Sequence, residues 1–167
     1  MGCLGVHFAI TEEQAHALIA ATDDEAVMAI IEDIEEETWE EAKEAGLLAE
    51  TDKAWDAIHR CLTNGRMTWD GGEEPLKWAI LGGRRMYDGD EYIVTLIDPQ
   101  QVQAVAEALK DIDEAELRSR YDYMADDYWV EKNDEDFEYT WHWFQNAKQF
   151  FQTAAKAGRY VVFTAEQ

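Results

Sequence analysis

DEDFEYTWHWFQNAKQFFQTAAKAG, residues 134–158, is the stretch whose reading decides the fold. Placed on a helical wheel, Phe137, Trp141, Trp143, Phe144, Ala147, Phe150, Phe151 and Ala154 cover nearly half the circumference. A surface helix carries a narrower apolar stripe, so this one is expected to be the central packing element. Gly158 suits the left-handed position that follows a helix, and Tyr160-Val161-Val162-Phe163 then reads as a closing strand.

Working outward, the helix needs a sheet to cover. Residues 3–10 alternate loosely and end at Thr11-Glu12-Glu13-Gln14, a capping box that turns the chain into a first helix. Tyr92–Ile97 is mostly β-branched and apolar and is the best strand in the chain. Asp98-Pro99 places a cap residue and a first-turn proline before a helix that turns Val102, Val105, Ala106 and Leu109 inward. The segments 3–10, 92–97 and 160–163 are therefore expected in one small sheet under the 134–157 helix, because such short strands are not stable apart.

The remaining segments are mostly helical. A box at Thr22-Asp23-Asp24-Glu25 precedes the stripe Val27, Ile30, Ile31 and Ile34, and this helix runs through an acidic tract to Gly46. Thr51 is expected to cap a helix bearing Trp55, Ile58 and Leu62, ending at Thr63-Asn64-Gly65. Pro75 suits the first turn of a short helix ending at Gly82-Gly83, and residues 113–128 read as a helix with Leu117, Tyr121 and Met124 in phase. Strands and helices do not alternate regularly, and no repeat or linker marks a second unit, so the expectation is one helix-rich α+β domain over residues 1–167.

Composition narrows the function classes. Of the 167 residues 47% are hydrophobic and seven are tryptophan, which excludes a disordered chain. Thirty-seven acids against 14 bases give a net charge of −23, and residues 1–50 hold fourteen acids and a single base. Such a field repels phosphate backbones and attracts basic proteins, so the expected partner is a basic protein and not a nucleic acid. With two cysteines, Cys3 and Cys61, and no glycosylation sequon, nothing in the sequence suggests an oxidising compartment. No apolar run is long enough for a bilayer. The start lacks the basic and apolar regions of a signal peptide, and Val6 stands where a myristoylation signal prefers Ser or Thr, so Met1-Gly2-Cys3 is not read as an acylation site. A cytoplasmic location without a membrane anchor is expected.

Three places can carry chemistry. In Trp55-Asp56-Ala57-Ile58-His59-Arg60-Cys61-Leu62-Thr63, Asp56 and Thr63 stand three before and four after His59 on one helix, so a carboxylate can orient an imidazole as a general base. The plainer reading is a boundary histidine anchored by hydrogen bonds. Gly82-Gly83-Arg84-Arg85 is the densest positive spot and can hold a carboxylate or phosphate, or pair with neighbouring acids. Lys148 falls between Phe144 and Phe151 on the apolar side of the last helix, so its ammonium either snorkels outward or is buried against a carboxylate. Trp141-His142-Trp143 is no cage, because consecutive helical residues point about 100° apart, and His142 is expected in solvent. The four histidines and two cysteines show no metal-ligand spacing, and no phosphate loop, nucleophile elbow or dinucleotide fingerprint is present, so neither metal nor cofactor is expected.

Met1-Gly2-x-x-Gly5, Trp55-Asp56-x-x-His59-x-x-Leu62-Thr63, Pro75-Leu76-x-x-Ala79-Ile80-x-Gly82, the strand leading to Pro99-x-x-Val102, and Ala154-Ala155-x-x-Gly158 occur in an order that spans the chain. In this order the sequence resembles the YfbM-like family, small bacterial proteins grouped as a domain of unknown function. The resemblance implies a compact α+β domain in a bacterial cytosol and brings no established activity and no catalytic residues. Two functions remain in view. One is a module that binds a basic protein, an immunity-type protein against a basic toxin being a concrete version. The other is a small enzyme or anion-binding domain with a pocket near Asp56 and His59, Trp55 in its wall and Arg84 or Arg85 holding the anion.

Overall fold

The computed structural model describes residues 3–167. Met1 and Gly2, where the acylation-like start and the opening of the family pattern fall, lie outside the described residues. The elements in chain order are β1 (Gly5–Ile10), α1 (Glu12–Ala20), α2 (Asp24–Glu44), β2 (Leu48–Asp52), α3 (Trp55–Leu62), a 3₁₀ turn (Leu76–Ala79), β3 (Arg84–Arg85), β4 (Tyr92–Ile97), α4 (Pro99–Lys110), α5 (Glu114–Asp122), α6 (Asp134–Lys156) and β5 (Tyr160–Glu166). The class is α+β, as the patterning implies.

The five strands form one antiparallel sheet in the order β2-β1-β5-β4-β3. All six residues of β1 are buried, which requires cover on both faces. Successive side chains point to opposite sides of a strand, and the two sides feed two cores. Val6, Phe8 and Ile10 of β1, Val94 and Leu96 of β4 and Val162 of β5 pack with Leu18 of α1 and Val27, Ile31 and Ile34 of α2. Ala9, Ile93, Ile97, Val161, Phe163 and Ala165 face the larger core, closed by α3, α4, α5 and α6.

Helix α6 lies in that larger core. Phe144 and Phe151 are fully enclosed, and Phe150 and Phe151 pack against the His7 ring of β1 with centroids 5.6 and 5.4 Å away. Trp141 and Trp143 are half-buried at its edge. The helix ends as expected at Gly158, whose φ of +66° is open to glycine at no steric cost. Gly46 closes α2 in the same way at φ +74°.

Several boundaries differ from the sequence reading. Thr51 caps no helix: it sits fully buried in β2, where its hydroxyl donates to the Gly5 carbonyl oxygen at 3.2 Å. The strand is hidden in Leu48-Ala49-Glu50-Thr51-Asp52 because two acids break its apolar alternation. Helix α3 starts at Trp55 after Ala54, without a side-chain cap. The cap of α2 is Asp23, not Thr22, and accepts from the Ala26 N–H at 2.8 Å. Helix α5 stops at Asp122, leaving 123–133 irregular, and the expected helix after Pro75 is a single 3₁₀ turn. Among the described residues, no helix is long and apolar enough to cross a membrane.

Candidate functional site

Helix α3 is short and almost wholly enclosed, with Trp55 and Ala57 through Leu62 all buried. Its polar side chains must therefore find partners inside the protein. Asp56 turns to Arg60, one helical turn on, whose Nε donates to Asp56 Oδ1 at 2.6 Å. Arg60 Nη1 donates to Asp127 Oδ1 at 2.9 Å, and the guanidinium lies 5.6 Å from the centre of the Tyr128 ring. The arginine side chain is only 5% exposed and that of Asp56 15%, whereas Asp127 stands in solvent. Burial raises the Asp56 pKa, and the hydrogen bond and charge of Arg60 oppose that rise.

His59 does not meet Asp56. Its Nε2 bonds the Thr68 carbonyl oxygen at 2.8 Å, and a carbonyl can only accept, so Nε2 carries the hydrogen and Nδ1 is bare. Among the described residues Nδ1 has no partner, and the residue is 1% exposed. Burial pushes the His59 pKa down to about 4, with the Arg60 charge adding to the fall and the Thr68 bond opposing it. The Thr63 hydroxyl donates to the His59 backbone oxygen at 2.6 Å, not to the ring. The neighbouring Cys61 thiol is pushed by burial up to about 12, far from thiolate reactivity.

The same arrangement recurs at His7, which the sequence reading passed over. Enclosed by Phe150, Phe151 and Phe163, it bonds the Ala79 carbonyl oxygen through Nε2 at 2.7 Å and, among the described residues, leaves Nδ1 without a partner. Burial lowers its pKa to about 4 as well. Thr95 adds a third tie, its hydroxyl donating to the Ile80 oxygen at 2.8 Å. The long segment between α3 and β3, which has one 3₁₀ turn and little core of its own, is thus pinned to the body by three buried side chains from β1, α3 and β4. His59→Ala removes one pin and should cost about 1–3 kcal/mol of unfolding free energy in a denaturant titration, since the Thr68 carbonyl is left without its donor. An unchanged midpoint would refute that tie.

Arg84 and Arg85 lie exposed on the edge strand β3, opposite Leu96 and Thr95. Neither forms an ion pair among the described residues, contrary to the expected acid partners. Arg85 instead stacks on Trp69, 4.4 Å from the ring centre, and donates from Nε to the Tyr87 oxygen at 3.0 Å. The cavity that holds Asp56 and Trp55 includes neither arginine nor His59. Lys148 takes a course the sequence left out: half-buried, it donates from Nζ to the Ile112 carbonyl oxygen at 2.9 Å and among the described residues meets no carboxylate. His142 is exposed, as expected. Among the described residues, no three of His, Cys, Asp and Glu converge as ligands for a metal ion.

Comparison with known proteins follows the segment order noted in the sequence. The profile of the family described as a domain of unknown function, DUF1877, matches residues 1–164. The chain belongs to that family. Among solved structures, this DUF1877 chain is similar to YfbM of Escherichia coli, itself a protein of unknown function, with a TM-score of 0.64 at 20% identity over 97% of this chain and 99% of that one. The YfbM-like resemblance read from the sequence is thereby borne out. No curated protein matches the chain.

Proposed function

We propose that this DUF1877 chain is a binding module that receives a basic protein on the outer face of α2, an immunity-type role against a basic toxin being the concrete form. The observation that carries the reading is the state of the acids on that helix. Glu32, Asp33, Glu36, Glu37, Glu40, Glu41 and Glu44 are exposed and Glu35 is half-buried, and among the described residues none of the eight takes part in an ion pair. The one base of the helix, Lys43, is already bound to Glu50 of β2 at 3.0 Å. Unpaired charges of one sign on a rigid element set up a field that steers an oppositely charged partner and speeds encounter. Beside them runs a cleft of about 350 Å³ lined by Ile34, Thr38, Glu41, Ala42 and Gln14, where an apolar side chain of the partner can anchor. The reading sets this encounter in the bacterial cytoplasm, where Cys3 and Cys61 stay unpaired.

Neutralising Glu36, Glu37, Glu40 and Glu44 to Gln tests it. Partner captured by the wild-type chain from a native lysate at low salt should be lost at high salt, because exposed charges are screened beyond about 8 Å at physiological ionic strength. The neutralised chain should associate with the captured protein at least about tenfold more slowly at low salt, with dissociation nearly unchanged. Equal association of the two chains across a salt titration refutes the proposal.

A further inference from the structure

A second cavity, distant in character from the α2 face, opens where the turn between β2 and α3 meets the irregular segment after α5. Its volume is about 350 Å³, and its walls include Cys3, Lys53, Trp55, Met67 and Trp129, with Asp56 the one acidic side chain that lines it among the described residues. Trp55 is held rigidly: it is 6% exposed and its indole N–H donates to the Cys3 oxygen at 2.7 Å. Trp129 is its opposite. Large aromatic side chains normally bury most of their area, yet this one is 64% exposed, and its indole approaches the Asp56 carboxylate instead of packing into either core.

The charge balance inside the cavity selects among ligands. Arg60 touches Asp56 but is shared with Asp127, so one positive charge serves two carboxylates and the group keeps a net negative charge. Asp56 Oδ1 is occupied by Arg60, and a carboxylate has acceptor sites to spare beyond one such bond. Lys53 also lines the cavity, but it is exposed and among the described residues forms no ion pair with Asp56, so Asp56 keeps acceptor capacity towards the cavity. Indole rings and a thioether around a carboxylate form the surroundings that favour a cation with an apolar body, since the ring faces attract positive charge and the walls shed water from the rest of the ligand. The chain's net charge of −23 enriches such ligands near the surface further.

The geometry points to a binding site for a small organic ammonium ion, with Asp56 as its counter-ion, Trp55 and Met67 as the fixed wall and Trp129 as a lid over the apolar part. The size of the cavity fits an arylalkylamine.

Calorimetric titration of the full chain with phenethylamine, 2-phenylethanol and phenylacetate separates charge from shape, because the three share a ring and differ in the head group. Phenethylamine should bind saturably, at least tenfold more tightly than the alcohol, and phenylacetate should not bind. Asp56→Asn, with its fold checked by melting, should erase the preference for the amine over the alcohol. Trp129→Ala, at an exposed position with little risk to folding, should weaken amine and alcohol alike by at least fivefold. Equal affinity for amine and alcohol, no saturable binding of the amine, or amine binding that survives in both variants and disappears at high salt would each overturn the site, the last by showing a diffuse response of the surface acids. None of these results bears on the α2 face, whose test uses different residues and a protein partner.

Discussion

Acidification from about pH 6.5 to about pH 4 should cost the folded protein up to about 3 kcal/mol for each of two histidines. His7 and His59 are both buried neutral, with pKa values lowered from 6.5 to about 4 mainly by loss of solvation. Between those values the unfolded chain binds protons that the folded chain refuses. The stability they contribute is therefore fully present above pH 6.5 and is lost as the pH falls towards 4. In structural terms, protonation puts a hydrogen on Nδ1, which in both residues faces no acceptor among the described residues. Asp56 and Glu35, whose pKa values burial raises, act in the opposite sense and gain as the pH falls. A comparison with His7→Gln/His59→Gln removes that common background, since glutamine keeps a donor near the Nε2 position and does not titrate. Urea unfolding at a series of pH values should show the wild type losing stability relative to the variant between pH 6.5 and 4. Parallel curves would show that the two imidazoles are not buried neutral.

Arg60→Ala should destabilise the protein by about 3–5 kcal/mol, because it leaves the enclosed Asp56 carboxylate without its partner. The contribution comes from Asp56 and not from Asp127, whose side chain is 62% exposed and keeps its water. Two further results distinguish this from a simple loss of packing. Asp56→Asn placed in the Arg60→Ala background should recover much of the loss, as no charge is then stranded. The single variant should also regain stability on mild acidification, because without Arg60 the strongest opposition to the burial that raises the Asp56 pKa is gone. Arg60→Lys should be intermediate, since one ammonium cannot match a planar guanidinium that bonds two carboxylates in different directions. A loss below about 1 kcal/mol, or no recovery in the double variant, would mean that Asp56 is well solvated.

The parts of the fold readable from the chain are those where a single local pattern sufficed. Helix α6 declared itself by an apolar arc too wide for a surface helix, and β4 by a mostly β-branched, apolar run. The box at Thr11 and the cap at Asp98 were legible because such a cap is a contact between residues three apart. What stayed hidden depended on distant neighbours. Strand β2 has acids in its sequence, and only its pairing with β1 makes Thr51 a buried strand residue. In the candidate site, the Asp56, His59 and Thr63 spacing correctly placed three residues on one helix but not their partners. The Asp56–Arg60 pair was open to discovery, since i,i+4 opposite charges on a helix are expected to meet. His59 instead reaches Thr68 across a loop, and His7 reaches Ala79 over seventy-two positions, which no local rule reports. Trp129 sits in an irregular acidic segment without periodicity, so its place over Asp56 had no signal at all.

The position of β5 has a consequence in time. It is the middle strand, paired with β1 on one side and β4 on the other, and yet it follows every other element in the chain. Gly5 must wait for Ala165, and Ile93 for the same residue, so neither inner edge of the sheet can be paired until β5 has been made. Bringing such remote partners together requires closing a very large loop before any pairing repays it, which makes the completion of the sheet a late and slow event. Until β5 leaves the ribosome, β1 and β4 present unpaired, strongly apolar edges, the kind of surface that recruits chaperones or seeds aggregation.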